Sequence, residues 1–272
     1  MSLMPTQTNQ IQRHVTAKVF LWGFWMLYLG YVLLSELPPG ESLLHTTPAT
    51  LKEALDLSLN YWFVLPLLAP QVAPVLNPAL EGLFNLVLAW GLLMVGFGVD
   101  GRGQRWPMLP FLLGTAFLTN VFFLPWVALR SPNPTPPPPP LSRLERLSES
   151  RGLPLLLLAV AIASLLWATF GRPEFGDLGD RWASLVAIVQ GDRLSYSIYI
   201  DMLVFWLFQG ALVPDDMARR QWHNPAALWL ARLLPFMGLV WYLLWRPSLP
   251  QSAGKPPAGE SAGESCSQAI QP

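Results

Sequence analysis

Five polar side chains that interrupt long apolar stretches are the first candidates for chemistry in this chain. They are Glu81, Asn85, Asp201, Gln209 and Arg232. A charged group in the hydrocarbon of a membrane costs about 3 kcal/mol or more unless it is paired. These residues therefore predict either a polar site, able to hold an ion, a proton or a ligand headgroup, or a set of structural pairs between helices.

The spacing of these residues leaves both alternatives open. Glu81 and Asn85 are four residues apart, so they share one helix face. Counted from the loop between their helices, Gln209 and Arg232 lie at similar depth, and Asp201 lies about 9 Å deeper. We favour the structural alternative, in which Asp201 or Gln209 binds Arg232. Glu81 would then lie near the membrane interface.

Acidic and basic residues also cluster in two loops at the ends of apolar runs. The first loop contains Asp100, Arg102 and Arg105, and the second contains Asp215, Asp216, Arg219 and Arg220. Opposite charges at helix ends can clamp neighbouring hairpins together, or they can bind a partner protein or anionic lipid. We therefore predict contact sites in these loops.

No motif in the sequence is a positive signature of an enzyme or a cofactor. His14, His45 and His223 lie outside the apolar runs, where an imidazole cannot ligate haem or chlorophyll in the bilayer. The single cysteine, Cys266, excludes a disulfide within the chain and a Cys-x-x-Cys metal site. No Gly-x-Ser-x-Gly occurs within the apolar runs. We predict no catalytic residue, no cofactor and no metal ligand.

Six long apolar runs must position the polar residues. They are residues 19–35, 82–99, 108–129, 153–170, 194–213 and 226–245. Runs of about this length cross a hydrocarbon core of ~30 Å as helices. Charged residues make up 12% of the chain, against about 25% in soluble domains. We predict an all-α polytopic membrane protein with about six transmembrane helices plus short interfacial helices, in contact with the lipid bilayer.

The predicted membrane domain covers residues 19–246, between a polar N-terminal segment (residues 1–18) and a tail (residues 247–272) whose composition predicts disorder. Residues 57–80 carry no charge, but prolines recur there every four residues. Because an interior proline costs a helix about 3 kcal/mol, we predict an irregular interfacial or partly buried segment instead of a seventh span. Five consecutive prolines, residues 136–140, predict a stiff polyproline linker.

The distribution of basic residues does not orient a chain with six spans. Lysine and arginine then number nine on the side of the N-terminus and seven on the other side, with Arg232 inside a span. The positive-inside rule needs a larger difference to fix the orientation. Lysine and arginine also equal aspartate and glutamate at 17 each, so no basic field suggests nucleic acid.

Two loop motifs resemble an uncharacterised integral membrane family of cyanobacteria and plastids. They are Asp100-Gly101-Arg102-Gly103-Gln104 and Asp215-Asp216-Met217-Ala218-Arg219-Arg220. The likeness extends in order and spacing from about residue 18 to residue 220. The segment before Glu81, the polyproline linker and the sixth run depart from it.

The resemblance implies residence in the thylakoid or plasma membrane of a photosynthetic cell, and it implies no activity. We therefore expect a non-enzymatic protein that supports the assembly or stability of a membrane complex, with other membrane proteins or a photosynthetic complex as partners. The alternative is a small transporter or channel that uses the intramembrane polar residues.

Overall fold

The computed structural model describes the backbone of residues 7–250 and the side chains of residues 15–250. Within this part of the chain every regular element is a helix, which confirms the predicted all-α class. The predicted disordered tail lies almost entirely outside the described residues.

The α-helices in chain order are α1 (Gln7–Tyr28), α2 (Pro48–Leu59), α3 (Val64–Leu68), α4 (Pro78–Leu93), α5 (Met108–Leu118), α6 (Asn120–Leu129), α7 (Arg143–Ser148), α8 (Gly152–Phe170), α9 (Leu178–Gly191), α10 (Arg193–Phe208), α11 (Val213–Arg219), α12 (Pro225–Leu233) and α13 (Met237–Trp245). Tighter or wider helical turns extend three of them. Leu29–Leu34 continues α1, Met94–Gly101 continues α4, and Gln209–Ala211 connects α10 towards α11.

Four helical segments are long and apolar enough to cross a membrane. They are Val15–Leu34, Pro78–Gly101, Gly152–Phe170 and Arg193–Arg219. They match the first, second, fourth and fifth predicted spans, so the protein is a helical membrane protein. The segments that contain α4 and α8 pack most extensively against each other, because Gly82 lets α4 approach α8 closely. A Cβ at Gly82 would lie 2.6 Å from the carbonyl oxygen of Ser164.

Side-chain contacts show which helix termini lie together at each of the two ends of this bundle. We call them the Asp100 end, where α4 and its extension finish, and the Glu81 end, where α4 begins. Arg193, the first residue of α10, donates to the carbonyl oxygens of Val32 and Ser35 at the end of the first segment. The ring centroids of Phe24 and Phe208 lie 5.2 Å apart further along. The first and last long segments are therefore antiparallel, and α1 begins towards the Asp100 end.

The third predicted span, residues 108–129, is a helical hairpin. Thr119, with φ of 40° and ψ of −117°, separates α5 from α6. Gln104 before α5 and Ser131 after α6 exchange two hydrogen bonds of 2.8 and 2.9 Å. Arg130 also binds Asp100. The segment therefore enters and leaves at the Asp100 end, and its tip lies beside Asp201.

The sixth predicted span, residues 226–245, is a second helical hairpin. It breaks between α12 and α13 at Pro235, because proline lacks an amide hydrogen and disfavours helical backbone at the preceding residue. Arg220 before α12 donates to the carbonyl oxygen of Pro247 after α13, at 2.5 Å. The rings of Trp222 and Tyr242 stack at 5.9 Å. This segment also returns to the Asp100 end.

The structure thus differs from six crossing helices: four long segments are accompanied by two hairpins. We call α5–α6 the first hairpin and α12–α13 the second hairpin. Residues 57–80 are irregular as predicted, since α3 has five residues and Trp62 and Phe63 adopt positive φ values of 52° and 59°. Along the chain, α2 and α9 each lie between two long segments, and α7 lies between the first hairpin and α8.

Candidate functional site

Glu81 and Asn85 lie together at the Glu81 end, on one face of α4 as predicted. The Glu81 carboxylate accepts from Trp167 Nε1 at 2.7 Å, from Arg172 Nε at 3.1 Å and from the Asn60 amide. The Asn85 side chain accepts the backbone N–H of Trp62 at 2.6 Å. Glu81 is fully buried, and each group has a partner. This part of the predicted site therefore fastens residues 57–80 and the end of α8 to α4.

Asp201 lies near the middle of the bundle, at the tip of the first hairpin. Its carboxylate accepts from Tyr28 Oη at 2.7 Å, Thr119 Oγ1 at 2.5 Å and Asn120 Nδ2 at 2.8 Å. Asn120 Nδ2 also donates to the Asp201 carbonyl oxygen. Three uncharged donors thus surround the carboxylate, and Asn120 Oδ1 has no partner in the structure. The contacts connect α1, α10 and the hairpin tip.

Gln209 lies at the tip of the second hairpin. Its side chain accepts from Trp90 Nε1 at 3.2 Å and donates to the Leu234 carbonyl oxygen at 2.7 Å. Trp206 Nε1 donates to the neighbouring Leu233 carbonyl oxygen at 3.0 Å. The break at Pro235 deprives carbonyl groups in the last turn of α12 of helical partners, and lipid offers no replacement. Gln209 and Trp206 supply the missing donors.

Arg232 contacts neither Asp201 nor Gln209 through its guanidinium, so the pairing favoured from the sequence is not formed. Its stem packs over Gly210, and its guanidinium carbon lies 5.6 Å from the ring centroid of Trp229. It is exposed and has no ion pair among the described residues. The predicted depths agree with the structure, because Arg232 packs against Gly210 next to Gln209, but its guanidinium is turned away over Trp229.

The five intramembrane candidates therefore do not form one site. Glu81 and Asn85 lie at one end, Asp201 and Gln209 at different hairpin tips, and Arg232 on the outer surface. Among the described residues no three His, Cys, Asp or Glu side chains are placed to hold a metal ion.

The loop candidates, in contrast, meet at the Asp100 end. Asp100 binds Arg130 through Oδ2 at 2.9 Å and Arg219 through Oδ1 at 2.8 Å. Arg130 also binds Asp215. Asp100 and Arg219 are almost fully buried. The two loop motifs are therefore in direct contact, and Arg130 bridges them.

Asp216 forms the second centre of this network. Its carboxylate binds Arg220 at 3.0 Å, Arg219 at 3.1 Å and Arg246 at 3.0 Å, and accepts from Tyr242 Oη at 2.8 Å. Arg246 is the first residue after α13. Asp216 thus attaches the end of the second hairpin to α11.

Two glutamates near α7 complete the network. Glu145 forms a two-pronged pair with Arg102, which also donates to carbonyl oxygens of Pro138 and Pro140. Glu149 binds Arg220 at 2.6 Å and Arg246 at 3.3 Å. Arg102 therefore holds the polyproline segment against the bundle.

We call these ten ion-paired residues the clamp: Asp100, Arg102, Arg130, Glu145, Glu149, Asp215, Asp216, Arg219, Arg220 and Arg246. Six of them were predicted from the sequence. Arg130, Glu145, Glu149 and Arg246 were not, although each lies within eight residues of the end of a predicted apolar run. Arg105, which was predicted, is exposed and outside the clamp.

The clamp has the chemistry of a structural element. Burial lowers the pKa of Arg130, but the contacts with Asp100 and Asp215 outweigh it and raise that pKa. Burial alone would raise the pKa of Glu145, but Arg102 and the Ser142 amide lower it. Both groups are therefore charged at neutral pH, and neither is poised to exchange a proton.

Searches with the chain against protein-family models, curated proteins and solved structures found no match.

Proposed function

We propose that this protein is a non-enzymatic membrane protein that supports the assembly or stability of a membrane complex, and that it docks a partner helix on the second hairpin. The resemblance of its two loop motifs adds the expectation of a thylakoid or plasma membrane in a photosynthetic cell. The single observation that carries the proposal is Arg232, an exposed cation at membrane depth that has no ion pair among the described residues.

The position of Arg232 makes the missing ion pair informative. It follows the first residue of α12, Pro225, by seven residues, which is about 10 Å along the helix axis. The side chain turns back over Trp229, and that contact compensates only part of the cost of a cation in hydrocarbon. A carboxylate on the transmembrane helix of another protein would supply the missing partner.

The surface around Arg232 suits a packed helix interface. Trp229, Leu233, Met237 and Trp241 are all exposed on the second hairpin. Aromatic residues and arginine are enriched at the centres of protein interfaces. We therefore take an acidic transmembrane helix as the occupant of this face, which we call the Arg232 face.

Site-specific photocrosslinking in native membranes tests the proposal. A photoreactive amino acid at Leu233 should crosslink one membrane protein, whereas the same group at Leu166, exposed on α8, should not. Arg232→Gln should reduce the crosslink about ten-fold or more, and Arg232→Lys should reduce it less. An equal crosslink in Arg232→Gln, or crosslinks to lipid alone, would contradict docking by a partner protein.

A small transporter or channel is the second candidate, and Asp201 is the observation that favours it. Secondary transporters place polar groups where interrupted helices meet near the middle of the membrane. Asp201 lies at such a position, but Glu81, Asn85 and Gln209 lie elsewhere with partners of their own, and Arg232 lies on the outer surface. Solute uptake by liposomes containing the wild type and not Asp201→Asn would support this candidate.

A further inference from the structure

The two ends of the bundle carry opposite charge. Among the described residues, eleven lysines and arginines belong to the Asp100 end and four to the Glu81 end. The eleven are Arg13, Lys18, Arg102, Arg105, Arg130, Arg143, Arg146, Arg151, Arg219, Arg220 and Arg246. The four are Lys52, Arg172, Arg181 and Arg193. Six spans would divide the lysines and arginines almost equally between the two sides of the membrane. The division is unequal in the structure because both hairpins return to the Asp100 end.

Acidic residues have the opposite distribution. Five described carboxylates lie at the Asp100 end and nine at the Glu81 end. All five at the Asp100 end belong to the clamp, where each contacts an arginine. Within the described part of the chain, the cations left over at that end therefore have no carboxylate to neutralise them.

Four of the remaining arginines form an exposed group that we call the basic rim: Arg105, Arg143, Arg146 and Arg151. Arg143 and Arg146 lie on α7, whose Glu145 is bound to Arg102 in the same loop as Arg105. Trp106 and Leu147 lie beside them, each 47% exposed. Arginine together with tryptophan and leucine is typical of the headgroup level of a membrane.

The Glu81 end offers no comparable surface within the described part of the chain. Lys52 is paired with Asp56, and Arg172 with Glu81. Arg193 donates to backbone carbonyl oxygens, among them those of Pro38, Pro39 and Gly40. Arg181 likewise donates to backbone carbonyl oxygens.

We propose that the basic rim binds anionic lipid headgroups and that the Asp100 end faces the cytoplasmic side of the membrane. Cytoplasmic leaflets carry anionic lipid, and arginines near the surface are attracted to it. The excess of lysine and arginine at the same end independently predicts that orientation. The rim does not overlap with the Arg232 face, so this proposal and the proposed function can fail separately.

Electron paramagnetic resonance of spin-labelled lipids tests the proposal on the full-length protein in phosphatidylcholine vesicles. We expect the wild type to prefer labelled phosphatidylglycerol over labelled phosphatidylcholine by about two-fold or more, averaged over the lipids around the protein. The combined Arg105→Gln, Arg143→Gln, Arg146→Gln and Arg151→Gln variant should lose most of this preference. Lys52→Gln, which removes an exposed cation at the Glu81 end, should retain it.

The wild type alone supplies a second measurement that does not depend on a variant. Raising the ionic strength to about 1 M, where the Debye length is about 3 Å, should abolish the preference. A wild type without preference, a preference that survives high salt, or a four-fold variant that retains it would overturn the proposal.

Discussion

Asp216 and Arg246 form a buried ion pair, with Oδ2 and Nη1 3.0 Å apart, that joins α11 to the end of the second hairpin. The two residues are thirty positions apart in the chain. Between them the chain enters the bundle, turns at Pro235 and returns. The pair therefore shows that the second hairpin begins and ends on the same side of the bundle, and it is also part of the clamp.

Removing the Asp216 charge should strongly destabilise the protein. Asp216→Asn leaves three arginines facing a neutral side chain, and loss of one partner from a buried pair costs about 3–5 kcal/mol. Thermal unfolding in detergent, followed by tryptophan fluorescence, should show a clearly lower midpoint. Glu41→Gln, a matched change at an exposed carboxylate, should alter stability by about 0.5 kcal/mol or less. Equal midpoints for the two variants would show that the clamp is not structural.

Asp201→Asn should destabilise the first hairpin. The amide offers one acceptor oxygen where the carboxylate accepts from Tyr28, Thr119 and Asn120, so at least one buried donor loses its partner. We expect a loss of about 1–3 kcal/mol, and a smaller one for Tyr28→Phe. Unfolding midpoints measure both. Unchanged stability of Asp201→Asn would contradict a structural role for this carboxylate.

The Arg102–Glu145 pair should make part of the stability depend on pH. The pKa of Glu145 is lowered from its ordinary value of 4.5, so its stabilising contribution is complete above that value and is lost as the pH falls through the lowered pKa. The difference in midpoint between the wild type and Glu145→Gln should be largest at neutral pH and shrink at about pH 3. A difference that is constant or grows in acid would show that Glu145 is not bound as a carboxylate.

Cys266 should be accessible only from the cytoplasmic side. It is the only cysteine, it follows the described Asp100 end, and no apolar run separates it from Arg246. In sealed vesicles whose cytoplasmic face is inside, a membrane-impermeant maleimide should label it only after permeabilisation. In a Cys266→Ser background, Glu41→Cys at the Glu81 end should be labelled without permeabilisation. The reverse pattern would contradict the orientation.

Hydropathy predicted the four long segments correctly because each is a continuous apolar helix of at least 19 residues. It was not sufficient for the two hairpins, since apolar length contains no information about direction. Pro235 was a visible signal in the sixth run. Whether the chain turns back there depended on Gln209 and Trp206, whose side chains donate hydrogen bonds to the carbonyl oxygens that the break leaves without helical partners.

The candidate site was predicted best where charges lie at helix ends. Asp100 and Arg219 were predicted as loop contact residues because opposite charges recur in two short loops, but their contact with each other was not, because six crossing spans put those loops on opposite sides of the membrane. Arg246 could not be paired with Asp216 from the sequence, because six crossing spans put them on opposite sides of the membrane. Arg172 was missed as the partner of Glu81 because six crossing spans also put these two residues on opposite sides of the membrane.

The charge difference between the two ends depends on the return of both hairpins to the Asp100 end, and cysteine accessibility across the first hairpin tests that return most directly. In a Cys266→Ser background, Arg105→Cys and Thr135→Cys place exposed thiols before α5 and after α6. In sealed vesicles of one orientation, an impermeant maleimide should label both of these thiols or neither. Glu41→Cys should be labelled only where those two thiols are not. Labelling of Arg105→Cys and Thr135→Cys from opposite sides would contradict the hairpin and restore a third crossing helix.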